Sequence, residues 1–264
     1  KQKTAYEIGV RLVGSEMCIR DRFLPLWHML FSYPPRNFKP ELLDLDEAPF
    51  DEVQDSLEDI RLVNRYLGGY KVLLHYFFKF FKRHEVDKEF SVLDLGTGSA
   101  DQPTAVVDMA RQLKIKIKVL ALDINYKMLQ YAHKKTKDYP EIHLIQGDIH
   151  SIPFGENSFD LVMNNLSLHH FTRKQAINIL RTADLVGRDG FIINDLHRSR
   201  IAYAFIVFLT RLITKNRLTR YDGPVSVMNA FTPSEMAEMA QEAGVKNFTV
   251  KRHFPYRIGL VGTK

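Results

Sequence analysis

From residue 91 onward, short apolar runs alternate with amphipathic stretches of ten or more residues. Strands are predicted at 91–95, 118–123, 142–148, 158–170 and 190–196, with helices near 103–113, 125–138 and 172–186 between them. Strands and helices that alternate at this spacing form βαβ units, in which helices cover a parallel sheet. Two more strand-like runs, 247–254 and 256–263, predict a closing hairpin around Pro255. We therefore predict an α/β fold: a doubly wound, mostly parallel seven-stranded sheet with helices on both faces and a C-terminal antiparallel hairpin.

Two regions do not follow this alternation. Residues 51–83 predict helices that break at Gly68 and Gly69, and the aromatic stripe of the second half is typical of core packing. Residues 199–230 form a predicted insertion, which holds an apolar helix at 201–213 and then a loop at 219–227.

The helix after the insertion has clear ends in the sequence. Thr232 and Glu235 are spaced as a capping box, Pro233 suits the first helical position, and Gly244 suits the end. We divide the chain into an N-terminal arm with lid helices at 23–86 and a main domain at 87–264, with the inserted lid at 199–230.

The first residues of the chain do not contribute to the predicted fold. Residues 4–22 resemble a translated sequencing-adapter sequence, so we treat residues 1–22 as a non-native segment. The only cysteine of the chain, Cys18, lies there. One cysteine excludes an internal disulfide and a cysteine-based zinc cluster and is typical of a reducing compartment. We therefore expect a cytoplasmic protein without a metal site.

The most informative motif is VLDLGTGSAD at residues 92–101, a buried-strand pattern that runs into a glycine turn. Gly96 and Gly98 allow a sharp turn and leave no Cβ between the backbone and a ligand. A dinucleotide-binding loop needs a third small residue where this chain has Asp101, whose carboxylate would repel a pyrophosphate. Asp94 is also unsuited to a polyphosphate, but it suits a cofactor that carries an ammonium and a sulfonium. These charges indicate S-adenosyl-L-methionine.

Four motifs, in order, resemble the class I S-adenosylmethionine-dependent methyltransferases over residues 87–264. They are DLGTGSA at 94–100, LALD at 120–123, QGDIHSIPF at 146–154 and SFDLVMNNLSLHHF at 158–171. The chain departs from the family at Ala100, where a third glycine is usual, but this exchanges one small residue for another. The resemblance implies a Rossmann-like transferase that binds S-adenosyl-L-methionine.

The resemblance also implies a role for each motif. The glycine turn would cradle the methionine part of the cofactor while Asp94 faces its amino group. Asp123 would accept hydrogen bonds from both ribose hydroxyls, Asp148 would accept one from the adenine amine, and the Asn165 region would lie beside the sulfonium. The predicted cofactor-binding residues are Asp94, Gly96, Thr97, Gly98, Asp123, Ile124, Asp148, Ile149 and Asn165.

The catalytic residues are harder to choose. Oxygen acceptors usually need a base, and activated carbon acceptors often do. A histidine with a near-neutral pKa suits the removal of a phenol or enol proton. The predicted catalytic residues are His169, His170 and His197, with Asp195, Arg198, Tyr221 and Asp222 as further candidates.

Several features favour a small lipophilic acceptor over nucleic acid. The end of the fourth strand reads NNLS at 164–167, without the proline and aromatic residue of amino-methylating nucleic-acid enzymes. The net charge of +6 comes from basic residues interleaved with acidic ones, so we expect no nucleic-acid partner. The aromatic and inserted helices lie where small-molecule enzymes of this class carry lids. Residues 62–69, 219–235 and 251–257 also resemble bacterial methyltransferases encoded near type III polyketide synthases.

We therefore expect O-methylation of a phenol or enol hydroxyl on a polyketide-type or aromatic compound, as in secondary metabolism. C-methylation of a quinone precursor and RNA methylation are the alternatives among enzymes. A non-enzymatic binding module is the alternative outside them. The apolar helix at 201–213 has basic residues on either side, so peripheral membrane contact is an alternative to a lid packed on the protein. The sequence leaves the oligomeric state open.

Overall fold

The computed structural model describes residues 32–85 and 87–264, and the adapter-like segment with Cys18 lies outside them. Helices and strands are numbered in chain order within these residues. The helices are α1 (Phe50–Tyr66), α2 (Gly69–Phe81), α3 (Asp101–Leu113), α4 (Tyr126–Lys135), α5 (Arg173–Val186), α6 (Arg200–Ile213), α7 (Arg217–Asn229) and α8 (Pro233–Ala243). The strands are β1 (Phe90–Leu95), β2 (Ile117–Asp123), β3 (Ile142–Gln146), β4 (Phe159–Asn165), β5 (Gly187–Leu196), β6 (Phe248–His253) and β7 (Arg257–Thr263).

The strands form one sheet in the order β3-β2-β1-β4-β5-β7-β6. Strands β1 to β5 are parallel, whereas β7 runs antiparallel to both β5 and β6. This topology confirms the predicted mostly parallel seven-stranded sheet and its C-terminal hairpin. The chain winds outward in both directions from β1 and β4, so a crevice opens at the carboxyl ends of these two strands.

The sheet is buried on both faces because alternate residues of each strand enter different cores. On one face, Phe90 and Val92 of β1 pack with Phe77 of α2 and with α3. On the other face, Leu93 and Leu95 pack with α5 and α8. Burying each such side chain contributes roughly 1.5–3 kcal/mol. The aromatic stripe of α2 is therefore core, as the sequence predicted.

The insertion differs from its prediction, because the expected loop at 219–227 is part of helix α7. Asn216 caps this helix, since its side chain accepts from the backbone N–H groups of Leu218 and Thr219. Pro224 lies inside the helix and is buried. A Cβ on Gly223 would lie only 3.3 Å from Ile206 and Thr210, so this glycine permits the close packing of α7 against α6. The proline and glycine that suggested a loop are accommodated by this tertiary packing.

The other predicted boundaries agree closely with the structure. Helix α8 begins with the capping box of Thr232 and Glu235 and ends at Gly244. The fourth strand is shorter than expected, since it ends at Asn165 and Leu168–His170 form a turn of 3-10 helix. In the described part of the chain, no helix is both long enough and apolar enough to cross a bilayer.

Candidate functional site

The glycine turn after β1 has the backbone conformation that the sequence suggested. Gly96 and Gly98 have positive φ angles of 76° and 56°. A Cβ on Gly96 would lie 2.6 Å from Ser167 Oγ, whereas one on Gly98 would point into open space. Ala100 also has a positive φ, 57°, at the position where the resembling family usually has glycine. The left-handed conformation is thus retained there, at a strain of about 1 kcal/mol.

A cavity of about 460 Å³ lies along the carboxyl ends of β1, β2 and β3. Its volume is in the range of small-molecule sites. Six of the predicted cofactor residues line it: Gly96, Gly98, Asp123, Ile124, Asp148 and Ile149. Glu41, Leu43 and Asp44 of the N-terminal arm line it as well, together with His170. The cavity therefore lies between the glycine turn and the arm.

Asp123 is held by two backbone N–H groups at the end of β2. Its carboxylate accepts from Gly98 N at 2.7 Å and from Asn125 N at 2.8 Å, and burial raises its pKa. Each carboxylate oxygen retains a second lone pair, as a ligand with paired hydroxyls requires. Asp148 is exposed and accepts from His150 N at 2.8 Å.

The remaining predicted cofactor residues, Asp94, Thr97 and Asn165, are buried at the carboxyl ends of β1 and β4 and do not line this cavity. Burial raises the pKa of Asp94 from 3.8 to about 7, and the nearby Asp101 and Asp123 add to the increase. The amide of Asn165 has no hydrogen-bond partner among the described residues. Asp94 has no counter-ion in the described part of the chain. Its carboxyl and the unpaired amide of Asn165 fit a ligand that carries an ammonium and further polar groups.

His169 lies in the short helix after β4, buried between two carboxylates. Its Nδ1 is 2.6 Å from Asp195 Oδ1, and its Nε2 is 3.4 Å from Glu41 Oε1. Burial by itself would lower the pKa of His169, but Asp195 and Glu41 outweigh burial and raise it to about 10. His169 is therefore an imidazolium at neutral pH, not the near-neutral histidine that the sequence suggested.

The pKa values of the other two predicted catalytic histidines are also shifted, in opposite directions. His170 stacks on His169 with ring centroids 4.4 Å apart, and its Nδ1 lies 2.6 Å from Asp44 Oδ2. Burial opposes protonation of His170, yet Glu41 and Asp44 raise its pKa. At the end of β5, burial lowers the pKa of His197 to about 4, and its Nε2 has no partner among the described residues. The surroundings therefore give these three histidines different pKa values, which the sequence alone did not distinguish.

Glu41, His169 and His170 bring one ligand atom each within 4.8 Å of one another, which is close enough to bind a metal ion. The sequence predicted no metal site. The described residues stabilise this cluster without a metal ion. His169 is hydrogen-bonded to Asp195, His170 is hydrogen-bonded to Asp44, and Glu41 carries the opposite charge to both imidazoles.

The arm that carries Glu41 is anchored by side chains from α7. The buried Asp222 accepts from Leu42 N at 2.7 Å and Leu43 N at 3.1 Å, and Ser226 Oγ lies 2.5 Å from Glu41 Oε1. Burial raises the pKa of Asp222 to about 7. Asp222 thus positions the arm. Arg198, another residue that the sequence suggested, donates to Ala230 O and Glu235 at the end of the insertion. The side chain of Tyr221 is exposed.

The sequence did not indicate Glu41, Asp44 or Arg36 as site residues. Arg36 donates to the carbonyl oxygens of His169 and Phe171, both at 2.8 Å, and so ties the arm to the histidine turn. These residues lie in a proline-rich segment without periodicity, so their spacing gave no signal. Their position depends on contacts with residues more than 100 positions away.

Known proteins with similar sequences or folds include methyltransferases. Residues 92–190 match the family model of a methyltransferase domain. A solved S-adenosylmethionine-dependent methyltransferase from Aquifex aeolicus has a similar fold, with a TM-score of 0.57 and 17% identity over 82% of this chain and 98% of that chain. The motifs, the fold and the family match identify the chain as a class I S-adenosylmethionine-dependent methyltransferase.

Relatives with similar sequences have more specific names. The demethylmenaquinone methyltransferase of Thermotoga maritima is 29% identical over 61% of this chain and 71% of its own length. A ubiquinone/menaquinone biosynthesis C-methyltransferase of Blochmanniella floridana is 32% identical over 36% of this chain and 37% of its own length.

Proposed function

We propose that this methyltransferase transfers the methyl group to a ring carbon of a lipophilic hydroquinone, a quinone precursor. The names of its relatives support this acceptor, since they refer to demethylmenaquinone and to C-methylation. C-methylation thus takes the place of O-methylation, which the sequence had favoured, as the leading proposal.

The observation that carries the proposal is the buried pair of His169 and Asp195. Asp195 binds His169 twice, through the backbone N–H at 2.9 Å and through Nδ1 at 2.6 Å, so the ring orientation is fixed. A histidine whose Nδ1 is held by a carboxylate presents Nε2 to an incoming proton. The pair can therefore take the hydroxyl proton of an acceptor.

S-adenosylmethionine supplies an electrophilic methyl group when it is bound. The chain has to ionise and orient the acceptor, because an ionised ring oxygen raises the electron density at the neighbouring ring carbon. That carbon would take the methyl group as the methyl–sulfur bond of the cofactor breaks, and the hydrogen that the carbon loses as a proton would restore the ring hydroxyl. His169 Nε2 receives the hydroxyl proton, which is the net proton that the reaction releases.

Glu41 must leave Nε2 before His169 can serve as this base. While Glu41 lies 3.4 Å away, the two carboxylates keep the imidazole protonated. In the proposed reaction, the arm shifts, the acceptor hydroxyl takes the place of Glu41, and the pKa of His169 falls. The arm residue Glu41 therefore couples acceptor entry to activation of the base.

O-methylation of a phenol or enol is the second candidate, because an ionised hydroxyl is itself a nucleophile and the same His169–Asp195 pair would create it. No observation at the site favours RNA methylation or a binding module.

The test is a turnover assay with methyl-labelled cofactor on three acceptors: a prenylated naphthohydroquinone, an alkylresorcinol and a hydroxyalkylpyrone. Nuclear magnetic resonance of the product distinguishes a C-methyl from an O-methyl group. We expect the C-methylated hydroquinone as the main product. Methyl ethers alone would favour the second candidate, and transfer only to tRNA would refute both.

A further inference from the structure

We propose that Arg257 binds an ionised oxygen of the methyl acceptor, in a polar pocket that it forms with Asn165 and Asn194. This inference rests on the proposed function for the acceptor's chemistry, since a hydroquinone that loses a proton becomes an anion. It assigns an acceptor-binding role to β7, the last strand of the chain, which carries none of the four cofactor motifs.

Arg257 is a buried cation that has no counter-ion among the described residues. It is only 1% exposed, and its Nε and Nη2 donate to Leu67 O at 3.3 Å and Asn64 Oδ1 at 3.1 Å. Its Nη1 has no partner among the described residues. Burial lowers the pKa of Arg257 to about 10, so it is charged at neutral pH. A buried charge is costly unless it is paired, which makes this guanidinium a strong site for an anion.

Another buried arginine shows the contrast. Arg198 is 4% exposed, but its Nη2 forms an ion pair with Glu235 Oε1 at 2.7 Å. Arg257 forms only neutral hydrogen bonds with the described residues. The negative charges that act on it, Asp195 and Asp101, influence its pKa without contacting it.

Two amides with unpaired atoms, those of Asn194 and Asn165, lie on the same face of the sheet as Arg257. Asn194 is fully buried and donates to Gly69 O at 3.2 Å, while its Oδ1 has no partner among the described residues. Asn194 and Arg257 therefore bind the same turn, residues 67–69. Asn165 is the neighbour of Asn194 across the β4–β5 pair, and neither polar atom of its amide has a partner in the described part of the chain.

The unpaired atoms match the oxygens of a hydroquinone monoanion. Arg257 Nη1 is a cationic donor for the ionised oxygen, and Asn194 Oδ1 is an acceptor for a remaining hydroxyl. Asp195, the partner of the proposed base, follows Asn194 in β5 and so lies on the opposite face of the strand, but its charge still acts on Arg257. An oxygen that is hydrogen-bonded to a guanidinium is a weaker nucleophile, so the methyl group goes to the ring carbon instead.

The carboxylate of the cofactor is the other anion that this guanidinium could bind. Asn64 connects the two regions, since its Oδ1 accepts from Arg257 and its Nδ2 donates to Asp101 Oδ2 at 3.0 Å, just after the glycine turn. The test must therefore measure cofactor and acceptor binding separately.

The test uses 4-nitro-1-naphthol, a two-ring phenol whose visible absorption reports its ionised form. The probe is titrated against the full chain with S-adenosylhomocysteine bound. We expect the wild-type site to lower the pKa of the bound probe by roughly one to three units. Arg257→Met should abolish this change, and Arg257→Lys should retain it with weaker binding because lysine keeps the charge without the planar fork. Arg173→Met, which removes an arginine of α5 that is ion-paired with Glu242, should leave the probe's pKa lowered.

Calorimetry with S-adenosylhomocysteine is the second measurement. Arg257→Met should bind it about as tightly as the wild type does. Weaker binding of S-adenosylhomocysteine with unchanged probe ionisation would assign Arg257 to the cofactor and overturn the inference. If Arg257→Met does not fold, Arg257→Lys and Asn194→Leu serve instead, and unchanged probe binding in both overturns it.

These outcomes separate the inference from the proposed function. An Arg257-dependent pKa change without methylation of any hydroquinone would refute the proposed function alone. C-methylation without a change in the pKa of the bound probe would refute only the inference.

Discussion

The two halves of the site are assembled in different ways. The predicted cofactor half uses mainly the ends of β1, β2 and β3 and the turns that follow them, at residues 94–150, with Asn165 at the end of β4. The proposed acceptor half combines His169 and Asp195 with Glu41 from the arm and Arg257 from the last strand. A contiguous βαβ segment is enough to position the first half, whereas the second depends on elements that are distant in the chain. Changes in one half should therefore leave the other functional.

The largest expected effect is on the chemical step. His169→Ala removes the proposed base and should lower the single-turnover rate by roughly 10²- to 10⁴-fold. The affinity for S-adenosylhomocysteine should not change, because His169 does not line the cofactor cavity. His143→Ala, at an exposed position of β3, is the control. A parallel loss of S-adenosylhomocysteine affinity in His169→Ala would show that the halves are not separable.

The second effect is confined to the cofactor half. Asp123→Ala removes the carboxylate predicted to hold both ribose hydroxyls, and charge-assisted hydrogen bonds contribute about 1.5–3 kcal/mol each. We expect the affinity for S-adenosylhomocysteine to fall by about 100-fold in calorimetry, with the binding of 4-nitro-1-naphthol retained. The exposed Asp138→Ala is the control. Unchanged affinity in Asp123→Ala would remove this residue from the cofactor site.

The sequence predicted the sheet and the backbone of the glycine turn well because their signals are local. The glycines, the acids at strand ends and the alternation of strands and helices each depend on neighbouring residues. Ala100 is an example of such a local signal. Its position in the turn keeps the left-handed conformation although the chain has no glycine there. The roles of the individual cofactor residues remain predictions.

The arm and the insertion could not be predicted in the same way. The helix α7 contains Gly223 and Pro224, which locally favour a loop, and it forms because it packs on α6. The pKa values of the three histidines depend on Glu41, Asp44 and Arg252, which the folded chain brings near them. No spacing in the sequence indicates such distant partners.

The third prediction concerns Asp94 and the pH dependence of cofactor binding. Its pKa of about 7 means that Asp94 binds a proton below neutral pH, which an incoming ammonium must displace. The affinity for S-adenosylhomocysteine should therefore fall as the pH drops below 7, by up to tenfold per unit. Folding stability has the opposite pH dependence. Because the pKa of Asp94 is higher in the folded chain than in the unfolded one, the contribution of Asp94 to stability is fully present below pH 4 and is lost as the pH rises through 7. Calorimetry from pH 5 to 9 measures the first effect.

Asp94→Asn should make that affinity weaker and nearly independent of pH over the same range. A wild-type affinity that does not vary between pH 5 and 8 would mean that Asp94 does not pair with the ammonium.

The smallest expected effect concerns how a lipophilic acceptor reaches the proposed acceptor half of the site. Ile201, Phe205, Phe208 and Leu212 lie on one stripe of α6, and each is between 39% and 71% exposed. The exposed Arg200 and Arg211 lie at the two ends of this helix. An amphipathic helix of this kind can rest on an anionic membrane surface, which would bring the active site to an acceptor dissolved in the bilayer.

Phe208→Ser combined with Leu212→Ser should lower vesicle binding by about tenfold in co-sedimentation with anionic liposomes, since only part of each side chain would be buried. The apparent KM for a prenylated acceptor in vesicles should rise accordingly, whereas the KM for a short soluble hydroquinone and the affinity for S-adenosylhomocysteine should not. Leu185→Ser, an exposed leucine on α5, controls for the loss of surface hydrophobicity. If the wild-type chain does not sediment with the vesicles, the stripe is a lid surface and the acceptor enters from solution.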